Sequence, residues 1–184
     1  MPTASAKAMP KAAPIGLPEL PSLFTPVVAL REGGDALSRA IRLAPEKGAG
    51  TLVWVRSGAR VEAAVVLEPE LILPAARPAL FAAASALADA LAAFGPPEVP
   101  LTFAWPATVK VYGGKVGRVR LAWPEGTADS EVPAWMVAAV EVRIAFPGGW
   151  EPGQGTDQTA LVEEGWDAEE ATCQELTAAW ARHL

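Results

Sequence analysis

The chain has 184 residues, of which 51% are hydrophobic and 20% charged, and its formal net charge at pH 7 is −6. This size fits one domain with a substantial core. The negative charge argues against non-specific nucleic-acid binding, which depends on lysine and arginine to neutralise phosphates. One cysteine excludes an intramolecular disulfide and favours a cytoplasmic location, and one cysteine with one histidine is too few for a zinc site, so no metal site is predicted.

The predicted elements follow an N-terminal segment rich in Pro, Ala and Lys. Residues 1–22 lack periodic apolar spacing and predict a flexible tail, so the domain is expected to span residues 23–184. Apolar periodicity, turn dipeptides and capping residues then predict a strand, a helix, two strands, a helix, four strands and a helix. The predicted strands are 27–30, 51–55, 61–67, 101–104, one on either side of Gly113-Gly114, and 137–146. The predicted helices are 35–44, 76–94 and one from 167 to the end.

Antiparallel strand pairs separated by helices are typical of the α+β class. We therefore predict one mixed, largely antiparallel sheet packed with helices, with one face covered. In residues 137–146, Val140, Val142 and Ile144 alternate with Glu141 and Arg143, which predicts one solvated face for that strand.

The most apolar segment, residues 75–94, is interrupted by Arg77, Pro78 and Asp89. Because a membrane span needs about 20 apolar residues, we expect a buried or amphipathic helix there and no membrane span. The prolines of the N-terminal segment argue against a secretory signal.

Lys115 begins the strand that follows the Gly113-Gly114 turn. A lysine at the mouth of a strand is able to hold a carboxylate or phosphate as a compact point charge. A solvated edge lysine that deters edge pairing is the alternative. A period of two along this strand places Arg118 and Arg120 on the face opposite to Lys115, unless a bulge intervenes.

Other candidates are also open to two interpretations. Gly48-Ala49-Gly50 forms either a loop whose backbone amides approach an anion or a plain turn, and Trp105 either lines a pocket for a flat ligand or belongs to the core. The acidic residues after 156 either bind magnesium or form a solvated surface: Asp157, Glu163 and Glu164. Cys173 is predicted to be a small buried hydrophobe.

The arrangement of these residues resembles the biotin–protein ligase signature, which runs Lys-Trp-Pro-Asn-Asp, a strand, a turn, and Lys-hydrophobe-small-Gly. Trp105-Pro106, the strand after it, and Gly113-Gly114-Lys115 followed by Val116-Gly117 carry the resemblance. Gly48-Ala49-Gly50 is similar to the Gly-Arg-Gly loop of the family, and residues 159–165 are similar to its Thr-Ser-Leu-x-Glu-x-Gly segment. The resemblance spans residues 24–184 and extends to the divergent bacterial biotin/lipoate A/B protein ligase family.

This resemblance implies a catalytic domain of the class II synthetase and biotin–protein ligase type, without the C-terminal SH3-like domain. The implied activity is ATP-dependent conversion of biotin or a lipoyl-type acid to an acyl-adenylate, with Mg²⁺, followed by transfer to a lysine of a biotinyl or lipoyl carrier domain. Lys115 takes the catalytic role, in contact with the carboxylate and the acyl-phosphate. The implied ligand-binding residues are Gly48, Gly50, Trp105, Pro106 and Gly117.

The chain departs from the family signature at several positions. Ala107-Thr108 replace Asn-Asp, Ala49 replaces the arginine of the glycine loop, and Glu141 is among the residues that replace glycines of a later strand. Two further functions therefore stay open: a non-catalytic relative that binds a small carboxylic acid or a carrier protein, and an ATP-independent acyltransferase. A cysteine nucleophile for such a transferase is disfavoured, because Cys173 is distant in sequence from the glycine loop and from Lys115.

Overall fold

The computed structural model describes residues 16–148, 150, 155 and 157–184. These residues form one seven-stranded sheet with the strand order β1-β2-β3-β7-β6-β5-β4. The strands are β1 Val27–Leu30, β2 Leu52–Val55, β3 Arg60–Leu67, β4 Leu101–Ala104, β5 Thr108–Val111, β6 Gly114–Ala122 and β7 Met136–Arg143. The helices are α1 Ala36–Lys47, α2 Leu73–Ala76, α3 Ala79–Phe94 and α4 Cys173–His183, with a 3-10 turn at Val162–Glu164. β1 and β2 are parallel and the remaining pairs antiparallel, which confirms the predicted α+β class and mixed sheet.

Helices cover the sheet on both faces, so the prediction of one covered face is wrong. α1 packs on one face against side chains of β2, β3 and β7, including Val53, Ala64 and Val137. α3 and α4 pack on the other face in a larger core that contains Trp54 and Val140. The physical reason is that β2 and most of β3 and β7 are apolar at consecutive positions, as expected for strands buried on both sides.

The capping residues fix two helix ends. Asp35 is the N-cap of α1, as predicted, because its side chain accepts a hydrogen bond from Ser38 N. This bond lowers the pKa of Asp35. α1 continues beyond the predicted end at residue 44 and includes Pro45. α4 begins at residue 173 rather than 167, since the Thr172 side chain accepts the Glu175 N–H and starts the helix there.

The stretch Leu73–Phe94 is the one helical segment of the described residues that is long and apolar enough to cross a membrane by length and composition. Core helices pass the same test, and α3 packs as a core helix. Two indoles anchor this packing: Trp180 Nε1 donates to Ala83 O at 3.1 Å, and Trp166 Nε1 donates to Leu91 O at 3.0 Å.

The segment that precedes β1 belongs to the fold from residue 16 onward. Leu17 and Leu20 are half-buried against the larger core, and the Arg182 side chain donates to Glu19 O at 3.3 Å. The predicted tail therefore does not include residues 16–22. Its first fifteen residues lie outside the described residues.

Candidate functional site

A β-bulge in β6 decides which side chains share the site. Lys110 of β5 pairs with Lys115, and Val109 pairs with Gly117, so Val116 is left as an extra residue. The extra residue reverses the alternation of side chains along the strand. Lys115 therefore lies on the same face as Arg118 and Arg120, and the prediction that it lies opposite to them is wrong because the bulge intervenes.

A cleft of about 620 Å³ opens on this face, beyond the N-terminal end of α1. Its floor is formed by β3, β7 and β6 where these strands extend past the helix, and the β1–α1 and β2–β3 connections form part of its rim. Four cations and two carboxylates line it: Arg60, Lys115, Arg118, Arg143, Glu32 and Glu141. The cleft is thus strongly ionic although most of the sheet is apolar.

Ion pairs lie in the floor of the cleft and directly beside it, since Arg60, Arg118 and Glu141 line the cleft whereas Glu62 and Arg120 do not. Glu62 is buried, with its carboxylate accepting Arg60 Nε at 2.9 Å and the Ala36 N–H at 2.8 Å. It therefore satisfies a backbone donor at the N-terminus of α1, where the helix dipole favours negative charge. Glu141 accepts Arg118 Nη2 at 2.8 Å, and Arg120 Nη2 lies 3.7 Å from the same oxygen.

Lys115 is held by contacts with residues 157–159. Its ammonium is 2.5 Å from the Asp157 carboxylate, and its backbone N–H and C=O bond to Asp157 O and Thr159 N. The Lys115 ammonium lowers the pKa of Asp157 through this hydrogen bond and through its charge. Both side chains are about half exposed, at 49% and 58%, so solvent screens the pair and a ligand carboxylate is able to displace Asp157.

Arg143 and Glu32 differ from the paired groups. The Arg143 guanidinium donates to Thr159 O at 3.1 Å and to Gln158 Oε1 at 3.0 Å, and it lies 4.9 Å from the centre of the Phe146 ring. The Glu32 carboxylate accepts the Ser57 hydroxyl at 3.0 Å. Within the described ranges, neither side chain forms an ion pair.

The structure does not bring Gly48 and Gly50 to Lys115. Both precede β2 at the Leu67 end of β3, where Gly50 N donates to Val66 O, whereas the cleft lies at the Arg60 end of β3. Seven residue steps separate these ends, roughly 23 Å at a rise of 3.3 Å per residue. Both glycines have positive φ angles, 70° for Gly48 and 81° for Gly50, and a Cβ at Gly50 would also collide with Leu23 O, so local backbone geometry explains both.

Of the other predicted ligand-binding residues, Gly117 lines the cleft and Trp105 and Pro106 do not. A Cβ at Gly117 would collide with Glu141 O, so the close approach of β7 explains this glycine as well. Trp105 is 83% exposed, and its ring lies 5.8 Å from that of Phe81 on α3, the helix that covers the opposite face of the sheet.

The glycine-containing loop beside the cleft is the β2–β3 connection, residues 56–59, and not residues 48–50. Sequence reasoning missed this loop, together with Arg60, Glu32 and Arg143. A usable signal is the pair of charges two residues apart on one strand, which occurs as Arg60 with Glu62 and again as Glu141 with Arg143. Charges at this spacing share a strand face.

The remaining candidates lie outside the cleft or are already paired. Cys173 is buried, as the sequence analysis predicts, and burial raises the pKa of its thiol. Glu164 accepts the Thr159 hydroxyl at 2.5 Å. The part of the chain that the structure describes contains no group of three or more His, Cys, Asp or Glu side chains positioned to hold a metal ion.

A family model described as the biotin/lipoate A/B protein ligase family matches residues 20–184. The chain belongs to this family. The match covers most of the chain and includes the whole sheet, the cleft and all four helices. No curated protein matches the sequence.

Solved structures support the same assignment. A biotin protein ligase-like protein of unknown function from a Silicibacter species is similar with a TM-score of 0.78 and 30% identity, over 90% of this chain and 70% of that chain. The biotin protein ligase of Aquifex aeolicus is similar with a TM-score of 0.60 and 19% identity, over 85% of this chain and 67% of that chain. The enzyme from Leishmania major, in complex with biotin, has a TM-score of 0.60 and 13% identity, over 86% and 72%. The two ligases, at these identities, show that the fold is shared.

Proposed function

We propose that this protein is a ligase of the biotin or lipoate type. It binds a small carboxylic acid in the Lys115 cleft, activates the acid as an acyl-adenylate and transfers the acyl group to a lysine of a carrier domain in the cytoplasm. The observation that carries the proposal is the position of Lys115 at a cleft in which cations outnumber carboxylates by four to two. This excess is notable because the whole chain is acidic, with a net charge of −6.

The Lys115 side chain has a plausible chemical role at this position. Its ammonium neutralises the bound carboxylate, holds it in the cleft and stabilises the charge that develops on the reacting acyl group. Before the acid binds, the Lys115 ammonium forms an ion pair with Asp157. The hydrogen bond and charge of Lys115 lower the pKa of Asp157, which favours its ionised form, so this carboxylate competes with the acid for Lys115.

The donor set of the cleft fits the anionic groups of the substrates. Arg143 and Lys115 supply charge-assisted hydrogen bonds that suit carboxylate and phosphate oxygens. ATP, when bound, supplies the adenylyl group that activates the acid. The described residues contain no group of three or more His, Cys, Asp or Glu side chains that would hold Mg²⁺.

The second candidate is a non-catalytic relative that binds a carboxylic acid without activating it. Two observations favour it. Ala107-Thr108 follow Trp105-Pro106 where the resemblance leads us to expect Asn-Asp, and Thr108 lines the cleft. The Arg118–Glu141 ion pair also occupies space on the floor, where the resemblance leads us to expect small residues.

Pyrophosphate release and calorimetric binding distinguish the candidates. The purified protein is mixed with ATP and either biotin or lipoate, and the Lys115→Ala variant is measured beside it. We expect the wild type to release pyrophosphate with one of the acids. We expect Lys115→Ala to bind that acid about 10- to 100-fold more weakly, since it loses a hydrogen bond between charged groups.

Lys110→Ala is the matched control, because Lys110 pairs with Lys115 across β5 and β6 but does not line the cleft. It is expected to bind the acid within about twofold of the wild type. Binding of an acid without pyrophosphate release would overturn the ligase and favour the binding module. Unchanged affinity in Lys115→Ala would overturn the assignment of the site.

A further inference from the structure

The ionic floor of the cleft restricts what kind of acid it accommodates. In register across β3, β7 and β6, Glu62 lies beside Glu141, and Glu141 lies beside Arg118. An aliphatic body would contact the apolar lining residues, among them Val142 and Pro147, but it would offer the charged side chains no hydrogen bonds in exchange for water. A body with polar or charged groups loses less on entry.

Two groups of opposite charge in the cleft have no ionic partner within the described residues. Arg143 donates to a backbone carbonyl and an amide oxygen, which are neutral acceptors, and Glu32 accepts from a hydroxyl, which is a neutral donor. The other charged lining residues are already in ion pairs: Arg60, Lys115, Arg118 and Glu141. A ligand with two charges would therefore gain most by forming ion pairs with Arg143 and Glu32.

The two groups stand on opposite sides of the cleft. Glu32 follows β1, and Arg143 ends β7, which is three strands away in the sheet. Three spacings of about 4.8 Å place the two backbones roughly 14 Å apart, and both side chains line the space between them. A ligand that meets both must carry its two charges several bonds apart.

We propose that the acid recognised by this cleft is dipolar, with its carboxylate toward Arg143 and Lys115 and a cationic group, several bonds away, toward Glu32. The substrate class is an ω-amino carboxylic acid or a longer acid with an ammonium or guanidinium group on its body. This inference rests on the proposed use of the cleft for a carboxylic acid. It assigns Glu32 as the residue that selects the substrate.

Titration calorimetry with three acids of equal chain length tests the proposal. The probes are hexanoate, 6-hydroxyhexanoate and 6-aminohexanoate, and the proteins are the wild type and Glu32→Gln. We expect the wild type to bind 6-aminohexanoate about tenfold more tightly than the other two acids, as one charge-assisted hydrogen bond at an exposed carboxylate allows. Glu32→Gln is expected to reduce that preference to less than twofold without weakening the binding of hexanoate, whose carboxylate no longer meets a like charge in the cleft.

Glu68→Gln is the matched control, because Glu68 is an exposed glutamate on the same chain that lies outside the cleft. It should keep the full preference for 6-aminohexanoate. Equal affinity of the wild type for hexanoate and 6-aminohexanoate would overturn the inference while leaving acid binding intact. Binding of biotin or lipoate without binding of any of the three hexanoic acids would also overturn the inference and leave acid binding intact. Failure of all five acids to bind would instead contradict the proposed function itself.

Discussion

The two ends of β3 and β7 carry opposite chemistry on the same face of the sheet. At one end, Ala64 and Val66 of β3 and Val137 of β7 are fully buried under α1. At the other end, the corresponding positions of β3 and β7 are occupied by arginine and glutamate, which form the floor of the cleft. The boundary lies at Glu62, whose carboxylate accepts the first N–H of α1.

This difference separates positions that contribute to stability through burial from positions that stay solvated. Side chains under the helix are removed from water and contribute through burial, at about 25 cal/mol per Å² of apolar area. Ion pairs at the open end are solvated and contribute about 0–1 kcal/mol each to stability. Charged residues therefore cost little stability where the helix ends. Substitutions beneath the helix should change the free energy of unfolding more than substitutions at the open end.

The largest effect is expected when the ionic pattern is extended beneath the helix. Ala64→Glu places a carboxylate two residues from Glu62, on the same face of β3, at a position that is fully buried. A buried charge without a partner is strongly destabilising. We expect the free energy of unfolding, measured with urea, to fall by about 3–5 kcal/mol or the protein to fail to fold.

Thr102→Glu introduces the same charge at an exposed position of the edge strand β4. Its free energy of unfolding should stay within about 0.5 kcal/mol of the wild type. A loss below 1 kcal/mol in Ala64→Glu would mean that α1 does not exclude water from this end of the sheet.

Much of the fold could be predicted from the sequence because its signals are local. The Gly113-Gly114 turn, the cap at Asp35 and the alternating or continuous apolar runs each depend on a few adjacent residues. The second helical layer was missed because the Glu141 and Arg143 alternation was extended to the whole of β7, although Val137 to Val140 are buried on both faces.

The site was less accessible from the sequence because it depends on pairing between distant residues. The bulge at Val116 is visible only from the register of β5 against β6, and it reverses the face of Lys115 relative to Arg118. Gly48 and Gly50 resembled a ligand loop by composition. Their role is instead set by positive φ angles and, at Gly50, by the close approach of Leu23 O, which the local sequence does not reveal.

An intermediate effect is expected at the boundary between the two ends. Glu62→Gln keeps an oxygen for the Ala36 N–H but removes the charge that pairs with Arg60. Because the glutamate side chain is only 11% exposed, we expect a loss of about 1.5–3 kcal/mol in the free energy of unfolding, as for a hydrogen bond to a charged group.

Glu68→Gln is a suitable comparison, since Glu68 also accepts a backbone N–H, that of Ala49 at 3.2 Å, but in an exposed position. Its effect on stability should be below about 0.5 kcal/mol. Equal losses in the two variants would show that burial of Glu62 adds nothing to its interactions.

The smallest effect on stability is expected on the open floor. Glu141→Gln removes a carboxylate that is 36% exposed and pairs with Arg118 and Arg120. The free energy of unfolding should change by less than about 1 kcal/mol, since the pair is solvated. The same change leaves the Arg118 guanidinium in the cleft, and that of Arg120 beside it, without their carboxylate. Inorganic phosphate should therefore bind more tightly, by about threefold to tenfold at low salt, and this gain should shrink as salt screens the charges. A large loss of stability with no gain in phosphate affinity would place Glu141 with the buried end of the sheet, and the division between a packed end and a binding end would then not hold at β7.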